Sequence, residues 1–298
     1  MRLRPDYDAH ILHTVVAEKR SELWRTVAGV VAIVVLYVLF TQLYQMVIFA
    51  FASDGPAFAN TLIAGATPVA MYILLGSFAL ISAAVFVVVR VLHHREALSV
   101  MGPVALCIPQ FMRVTGALIF LGIVLSVLPP YGYADPLVPN MAVGVWTALL
   151  PLSLLAVFVQ ISAEEIVFRG YLQQQLGARF RSPLVWMVLP SVIFALGHYQ
   201  PAEAGENAVM ITVWAFAFGM LMADLTARAG TIGPALAVHF VNNVTALVIT
   251  SLPDNLGGLA LWHTPFGMAD IDALRAWLPV DFAAMLVSWL VARLALRR

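Results

Sequence analysis

The chain has 298 residues, of which 62% are hydrophobic and only 11% charged, where soluble globular proteins carry about a quarter. Acidic and basic residues number 16 each, for a formal net charge of zero. This composition excludes a soluble domain, and the charge balance removes any argument for nucleic-acid binding or a polybasic membrane patch. The expected fold class is all-α, a polytopic membrane protein. The single cysteine, Cys107, excludes an intramolecular disulfide framework. Lys19 is the one lysine among the 16 basic residues, a bias typical of GC-rich bacterial coding, so the expected location is the cell (inner) membrane.

Residues 1–25 are polar and charged (Arg2, Arg4, Lys19, Arg20, Arg25) and predict a short amphipathic helix on the cytoplasmic face. The uncharged run from Thr26 to Ala52 predicts the first transmembrane helix. It is too long for a signal-peptide core and reads as a permanent anchor. Ser53-Asp54-Gly55-Pro56 breaks it. The second span is expected over Val69 to Val89, closed by Arg90, His93, His94 and Arg95. The third is less regular: Pro103 to Met112 contains Pro109, and Arg113 precedes the uncharged run Val114 to Leu128, so a kinked or partly interfacial helix is expected. A loop rich in Pro and aromatic residues follows, from Pro129 to Asn140. The fourth span starts near Met141 and continues past Arg169 as an amphipathic extension through Tyr171, Leu172, Leu176 and Phe180. The fifth is Pro183 to His198 and the sixth Ala208 to Ala223, closed by an Asp224–Arg228 pair. The seventh is Gly230 to Leu252, and the eighth Ala276 to Leu296.

These runs clear or approach the ~20 residues a helix needs to cross a bilayer. With the N-terminus inside, 15 of the 16 basic residues fall on the cytoplasmic side, and Arg275 alone falls outside. The positive-inside rule therefore favours eight spans with both termini cytoplasmic. Three regions follow: an N-terminal segment (1–25), N-terminal transmembrane helices (26–140) and a C-terminal transmembrane core (141–298).

The chemistry concentrates in that core. Charge beside a membrane segment is costly and rarely idle, yet Glu164, Glu165 and Arg169 end a long apolar run. Glu165 and Arg169 stand at i and i+4 on one helical face. Glu164 lies about 100° round from Glu165, so one carboxylate can be neutralised while the other stays free. Phe194 and His198, then His239 and Asn243, repeat the i,i+4 spacing on two later helices. A Glu and a His sharing a water can make it a nucleophile, the carboxylate taking its proton. A second His and an Asn amide can donate to an oxyanion. No His-Glu-x-x-His zinc helix, Gly-x-Ser-x-Gly elbow or intramembrane aspartate dyad is present to compete.

Taken in order, the three motifs resemble the signature of the CPBP family, which comprises the type II CAAX prenyl endopeptidases and the Abi, or bacteriocin-processing, proteins. The resemblance covers roughly residues 145–250. It implies an intramembrane endopeptidase of about eight helices. It also implies roles: Glu164 as general base, His198 holding the same water, His239 and Asn243 as oxyanion stabilisers, and Glu165, Arg169 and Phe194 in support. No cofactor is required on this reading. The alternative is Zn²⁺ held by Glu164, His198 and His239 with a water in the fourth place; Asn243 is a poor zinc ligand and a good oxyanion donor. The implied partner is a hydrophobic or lipid-associated peptide within the membrane. In a bacterium, where protein prenylation is not expected, that means processing of a secreted or bacteriocin-like peptide, or an immunity role. The oligomeric state is not legible.

Each residue also has a structural reading. Glu165–Arg169 can be an interfacial ion pair, Phe194 packing, and Asn243 interhelical glue with Asn242 beside it. His10, His13, His93, His94 and His263 are expected in loops or interfaces without a role. Functionally, the second reading is a non-catalytic membrane immunity or partner protein, or a small proton-coupled transporter.

Overall fold

A computed structural model describes residues 7–51, 55–128 and 136–297. Arg2, Arg4, Arg298, the break at Ser53-Asp54 and most of the Pro129–Asn140 loop lie outside the described residues. The described residues are mostly helical, with connecting loops and one small sheet. Six helical stretches are long and apolar enough to cross a membrane: Leu23–Ala50, Pro68–Val91, Val104–Val127, Val143–Arg179, Pro201–Ala229 and Ile271–Leu296. The chain is a multi-pass, all-α membrane protein.

Two of the eight expected spans are shorter, Leu184–Leu196 and Gly233–Ile249. At 1.5 Å per residue they reach about 20 and 25 Å, short of a hydrocarbon core ~30 Å thick. Both begin beside a proline, Pro183 and Pro234, and both pack among the longer helices. The count of full-length spans among the described residues is therefore six, with two short apolar helices between them.

In chain order, α1 (His10–Thr14) runs into a tight 3-10 turn (Val15–Arg20), and α2 (Leu23–Ala50) is the first long helix. Next come α3 (Gly55–Ala64), α4 (Pro68–Ser77) and α5 (Ala79–Val91); the expected second span is thus two helices interrupted at Phe78. The helix α6 (Val104–Val127) carries Pro109 inside it without ending there. After it, α7 (Val143–Glu165) passes into a π-helical stretch (Ile166–Gln173) and α8 (Gln174–Arg179), one 37-residue run. At about 55 Å it is far longer than a hydrocarbon core is thick, and it continues past Arg169 as one run to Arg179.

A second π-helical stretch (Leu184–Val188) leads into α9 (Leu189–Leu196), and α10 (Pro201–Ala204) is a single turn. The helix α11 (Ala208–Ala229) runs past the expected end at Ala223 and stops at Gly230, whose φ of +73° only glycine adopts without strain. The helix α12 (Gly233–Val244) continues as a third π-helical stretch (Thr245–Ile249), and α13 (Ile271–Leu296) closes the chain. Short strands β1 (Val138–Pro139), β2 (Thr250–Ser251) and β3 (Trp262–His263) form a sheet in the order β1-β3-β2. β3 is antiparallel to β1 and parallel to β2.

The centre of the bundle is α12. Every residue from Gly233 to His239 is buried, the mark of a helix surrounded on all sides. It packs against α6, α7, α11 and α13, so α7 and α12 present their motifs to each other. The outer faces are apolar and exposed, as along α2 at Val27, Val31, Val34, Val35 and Val38, which suits a lipid-facing surface.

The N-terminal segment is not a free amphipathic helix. His10, His13, Thr14 and Ala17 are buried against the protein, and His93 is buried as well. Trp186 lies against His10 with ring centroids 4.3 Å apart. Tyr171, Leu172 and Leu176, on the extension of α7, are buried between this segment and the bundle.

Candidate active site

The end of α7 brings two carboxylates in from one chain, and they meet different fates. Glu165 is fully buried and pairs with Arg169 at 3.0 Å, the i,i+4 contact that the spacing predicts. Arg169 also donates to the carbonyl of Gly219 on α11 at 3.4 Å. Its guanidinium lies 4.8 Å from the ring centroid of Phe194, a cation–π contact from α9. Glu164 keeps 15% of its side chain exposed. Its Oε1 accepts from Gln160 Nε2 one turn earlier.

His239 joins the two. Its Nδ1 donates to Glu165 Oε1 at 2.8 Å, and its Nε2 lies 3.5 Å from Glu164 Oε2. The second distance exceeds the 2.7–2.9 Å of a direct charge-assisted bond, so Nε2 is near Glu164 without being saturated by it. Two carboxylates, one guanidinium and one imidazole sum to zero when the imidazole carries a second proton. His239, expected as an oxyanion stabiliser, thus stands beside Glu164 as well as Glu165.

Asn243 is one turn beyond His239. Its Nδ2 donates to Gln160 Oε1 at 2.9 Å, and its Oδ1 accepts from Asn242 at 3.1 Å. An amide nitrogen has two hydrogens, so one N–H is left for another acceptor. Gln160 therefore clamps Glu164 and Asn243 from opposite ends of one amide. Sequence reasoning misses it. The available signal is a lone amide in an apolar run, four residues before Glu164 and on its face.

His198 sits just past α9, in the turn after Leu196. Its Nδ1 bonds to the carbonyl of Phe194 at 2.9 Å. The carbonyl accepts, so Nδ1 carries a hydrogen, and in the neutral ring Nε2 then holds the lone pair. The ring lies tilted against Phe194 with centroids 4.4 Å apart, and Phe194 lies 6.3 Å from His239. His198 thus reaches the cluster across the Phe194 ring. Phe194 is 3% exposed and also packs against Phe168 and Phe218. Phe218 in turn lies 4.9 Å from the His239 ring. This aromatic wall keeps the ion-pair side of the cluster dry. Its low dielectric strengthens every charge interaction inside.

Among the described residues, no three His, Cys, Asp or Glu side chains are grouped to hold a metal ion. Glu164, His198 and His239 are accordingly not drawn together as a three-ligand group in this structure.

A cavity of about 640 Å³ lies on the other side of α12. It is bounded by α6, α12, α13 and the 250–268 loop, with Leu118, Val238, Val241 and Met285 among its apolar walls. Asn242, which donates to Asn243, faces it, as does Phe218, which touches His239. The cavity and the polar cluster therefore share a wall.

The chain is similar to known proteins over part of its length. An uncharacterized protein of Bacillus subtilis (strain 168), YyaK, is 31% identical over 121 residues. The matched segment is 40% of this chain and 40% of that protein, so the chain spans well under half the length of the curated relative it matches. No solved structure matches. Residues 146–245, which contain Glu164, Glu165, Arg169, His198, His239 and Asn243, match the family of Rce1-like type II CAAX prenyl endopeptidases.

Proposed function

We propose that the protein is an intramembrane endopeptidase in which Glu164 activates a water for attack on a peptide bond. The observation that carries this reading is the division of labour between neighbouring carboxylates. Glu165 is buried and neutralised by Arg169, while Glu164 is partly open and held only by a neutral amide and a neighbouring imidazole.

In the proposed reaction Glu164 takes a proton from water as the water attacks the carbonyl carbon. The developing oxyanion is met by the free N–H of Asn243 and by Nε2–H of His239, whose Nδ1 is anchored on Glu165. Anchored donors need no reorganisation in the transition state, which is where such groups have their effect. Collapse of the tetrahedral intermediate passes the proton from Glu164 to the leaving amine. His198, with its lone pair on Nε2, is proposed as a second acceptor for the water's hydrogens. No covalent enzyme intermediate and no metal is needed. The apolar cavity behind Asn242 suits a hydrophobic or lipid-associated peptide as substrate.

We further propose eight membrane passes with both termini cytoplasmic, the two short helices counting as passes within the shell of six, in the cell (inner) membrane of a bacterium. The second reading is a proton-coupled transporter or partner protein, and it rests on the same buried ionisable cluster. The test is cleavage of a pool of hydrophobic peptides by protein reconstituted in vesicles, comparing wild type with Glu164→Gln and Asn243→Ala. An endopeptidase loses cleavage in both. A transporter requires Glu164, tolerates loss of Asn243 and releases no peptide fragments.

A further inference from the structure

The N-terminal segment is built against the back of the helix that carries Arg169. His13 is fully buried, and its Nε2 lies 2.9 Å from the backbone oxygen of Arg169. The carbonyl accepts, so Nε2 carries the hydrogen and Nδ1 is left with a lone pair. That Nδ1 is buried and has no hydrogen-bond partner. The Arg169 carbonyl belongs to the π-helical stretch, whose widened turns are uncommon and often mark functional sites.

The fit around His13 is close. Gln174 donates to the His13 carbonyl and to the Ser99 carbonyl, each at 2.8 Å, and Arg95 donates to the Gln174 side chain. A Cβ at Gly177 would stand 2.8 Å from His10, and one at Gly102 would stand 3.3 Å from His13 Nδ1. The segment has no room to slide, so it is either docked in this register or released.

We propose that His13 is a positioning residue of the candidate site: neutral, it fixes the Arg169 turn and through it the Arg169–Glu165–His239 chain, and its protonation releases the N-terminal segment and loosens that chain. Part of the acid-side loss of activity is then conformational. The inference deepens the endopeptidase reading and rests on it only for the activity measurement.

Burial, and after it the charge of Arg95, oppose protonation of the ring. Arg95 from the 92–96 loop and His10 on its own helix face it, and His93 lies nearby on that loop. Arg169 and Tyr171 are on the π-helical stretch below, and Arg179 ends α8. From α11 come Asp224 and Arg228, which hold Tyr7 at the start of the segment; Asp8 is its neighbour in the chain, and Arg293 on α13 lies on the same side. A second proton would place an unpartnered N–H in a buried site that already holds cations. Burial holds the His13 imidazole down to about 4 and that of His10 down to about 3, each well below the usual 6.5.

The test uses the full chain in vesicles, with His13→Ala and His13→Gln. The glutamine amide nitrogen occupies the place of Nε2 and donates without titrating. Hydrogen exchange, corrected for the intrinsic pH dependence, reads opening of residues 7–20 and 166–179; peptide cleavage reads kcat and KM. In His13→Ala both segments exchange about tenfold faster at neutral pH, the equivalent of one lost buried hydrogen bond. Its kcat falls with KM unchanged, and His13→Gln restores both. Between pH 6.5 and 4 the logarithm of the opening constant rises as pH falls, with a slope that is about one proton smaller in His13→Gln than in wild type. A wild-type slope in His13→Gln, or unchanged exchange over 166–179 in His13→Ala, overturns the proposal. If exchange behaves as expected and wild type cleaves no peptide, the endopeptidase reading fails and the positioning role stands.

Discussion

Replacing Arg169 by methionine isolates the buried ion pair. The Glu165 side chain is fully buried and that of Arg169 is 2% exposed. Glu165 Oε1 is shared by Arg169 at 3.0 Å and His239 at 2.8 Å, and Oε2 has no partner. Arg169→Met therefore leaves a buried carboxylate with only an imidazole beside it, and also removes the cation from the Phe194 ring. Breaking a buried pair from one side costs about 3–5 kcal/mol, whereas replacing both charges costs little. Arg169→Met is expected to lose about 3–5 kcal/mol, and the double variant Arg169→Met/Glu165→Gln to regain more than half of that. The amide oxygen that Glu165→Gln introduces still accepts from His239 Nδ1 in the double variant. The assay is equilibrium unfolding in mixed micelles for wild type, both single variants and the double, read as a double-mutant cycle. A single variant within about 1 kcal/mol of wild type, or a double variant as unstable as the summed singles, would refute the claim that Glu165 is locked by Arg169.

Three further outcomes follow from the same geometry. Asn243→Ala lowers kcat by about 10²–10³ with little change in KM, the loss of one oxyanion donor, as steady-state kinetics on a cleaved peptide would show. Gln160→Leu removes the amide that holds both Glu164 and Asn243 and lowers kcat by about tenfold, in line with roughly 1 kcal/mol per hydrogen bond; unchanged kinetics would show that the clamp is incidental. Acid weakens the docked N-terminus. Burial holds His10 down to about 3 and His13 and His93 each down to about 4. The unfolded chain therefore binds more protons, and stability that is fully present above pH ~6.5 is lost as pH falls towards 4. For His13 alone this is worth up to about 3 kcal/mol, and unfolding midpoints measured at pH 7.5, 6 and 4.5 should fall in that order.

Legibility in the sequence follows periodicity and charge. Uncharged runs mark the long helices to within a few residues, because a span needs little beyond apolar length. The i,i+4 spacings place Glu165 on Arg169 and Arg228 on Asp224 correctly, since both contacts lie within one helix. Contacts between helices are another matter. Nothing in the spacing says that α12 brings His239 to both Glu164 and Glu165, because that depends on how α7 and α12 cross. Gln160 escapes notice because a single amide in an apolar run carries no periodic signal. His10, His13 and His93 read as loop residues, since a short polar segment looks the same whether it floats in water or docks on the bundle. The short helices Leu184–Leu196 and Gly233–Ile249 read as full spans because the apolar runs continue beyond the helix ends, into the turn at Gly197 and the strand at Thr250, and hydropathy does not register where a helix stops.

The central claim is that one carboxylate of the Glu164–Glu165 pair does chemistry and the other holds structure. The most direct measurement compares Glu164→Gln with Glu165→Gln, reading stability and peptide cleavage on the same preparations. The account predicts that Glu164→Gln keeps wild-type stability and loses cleavage by at least about 10². Glu165→Gln instead loses about 3–5 kcal/mol of stability, because it strands a buried guanidinium. The reverse pattern, with Glu164→Gln active and Glu165→Gln stable but inert, would contradict it.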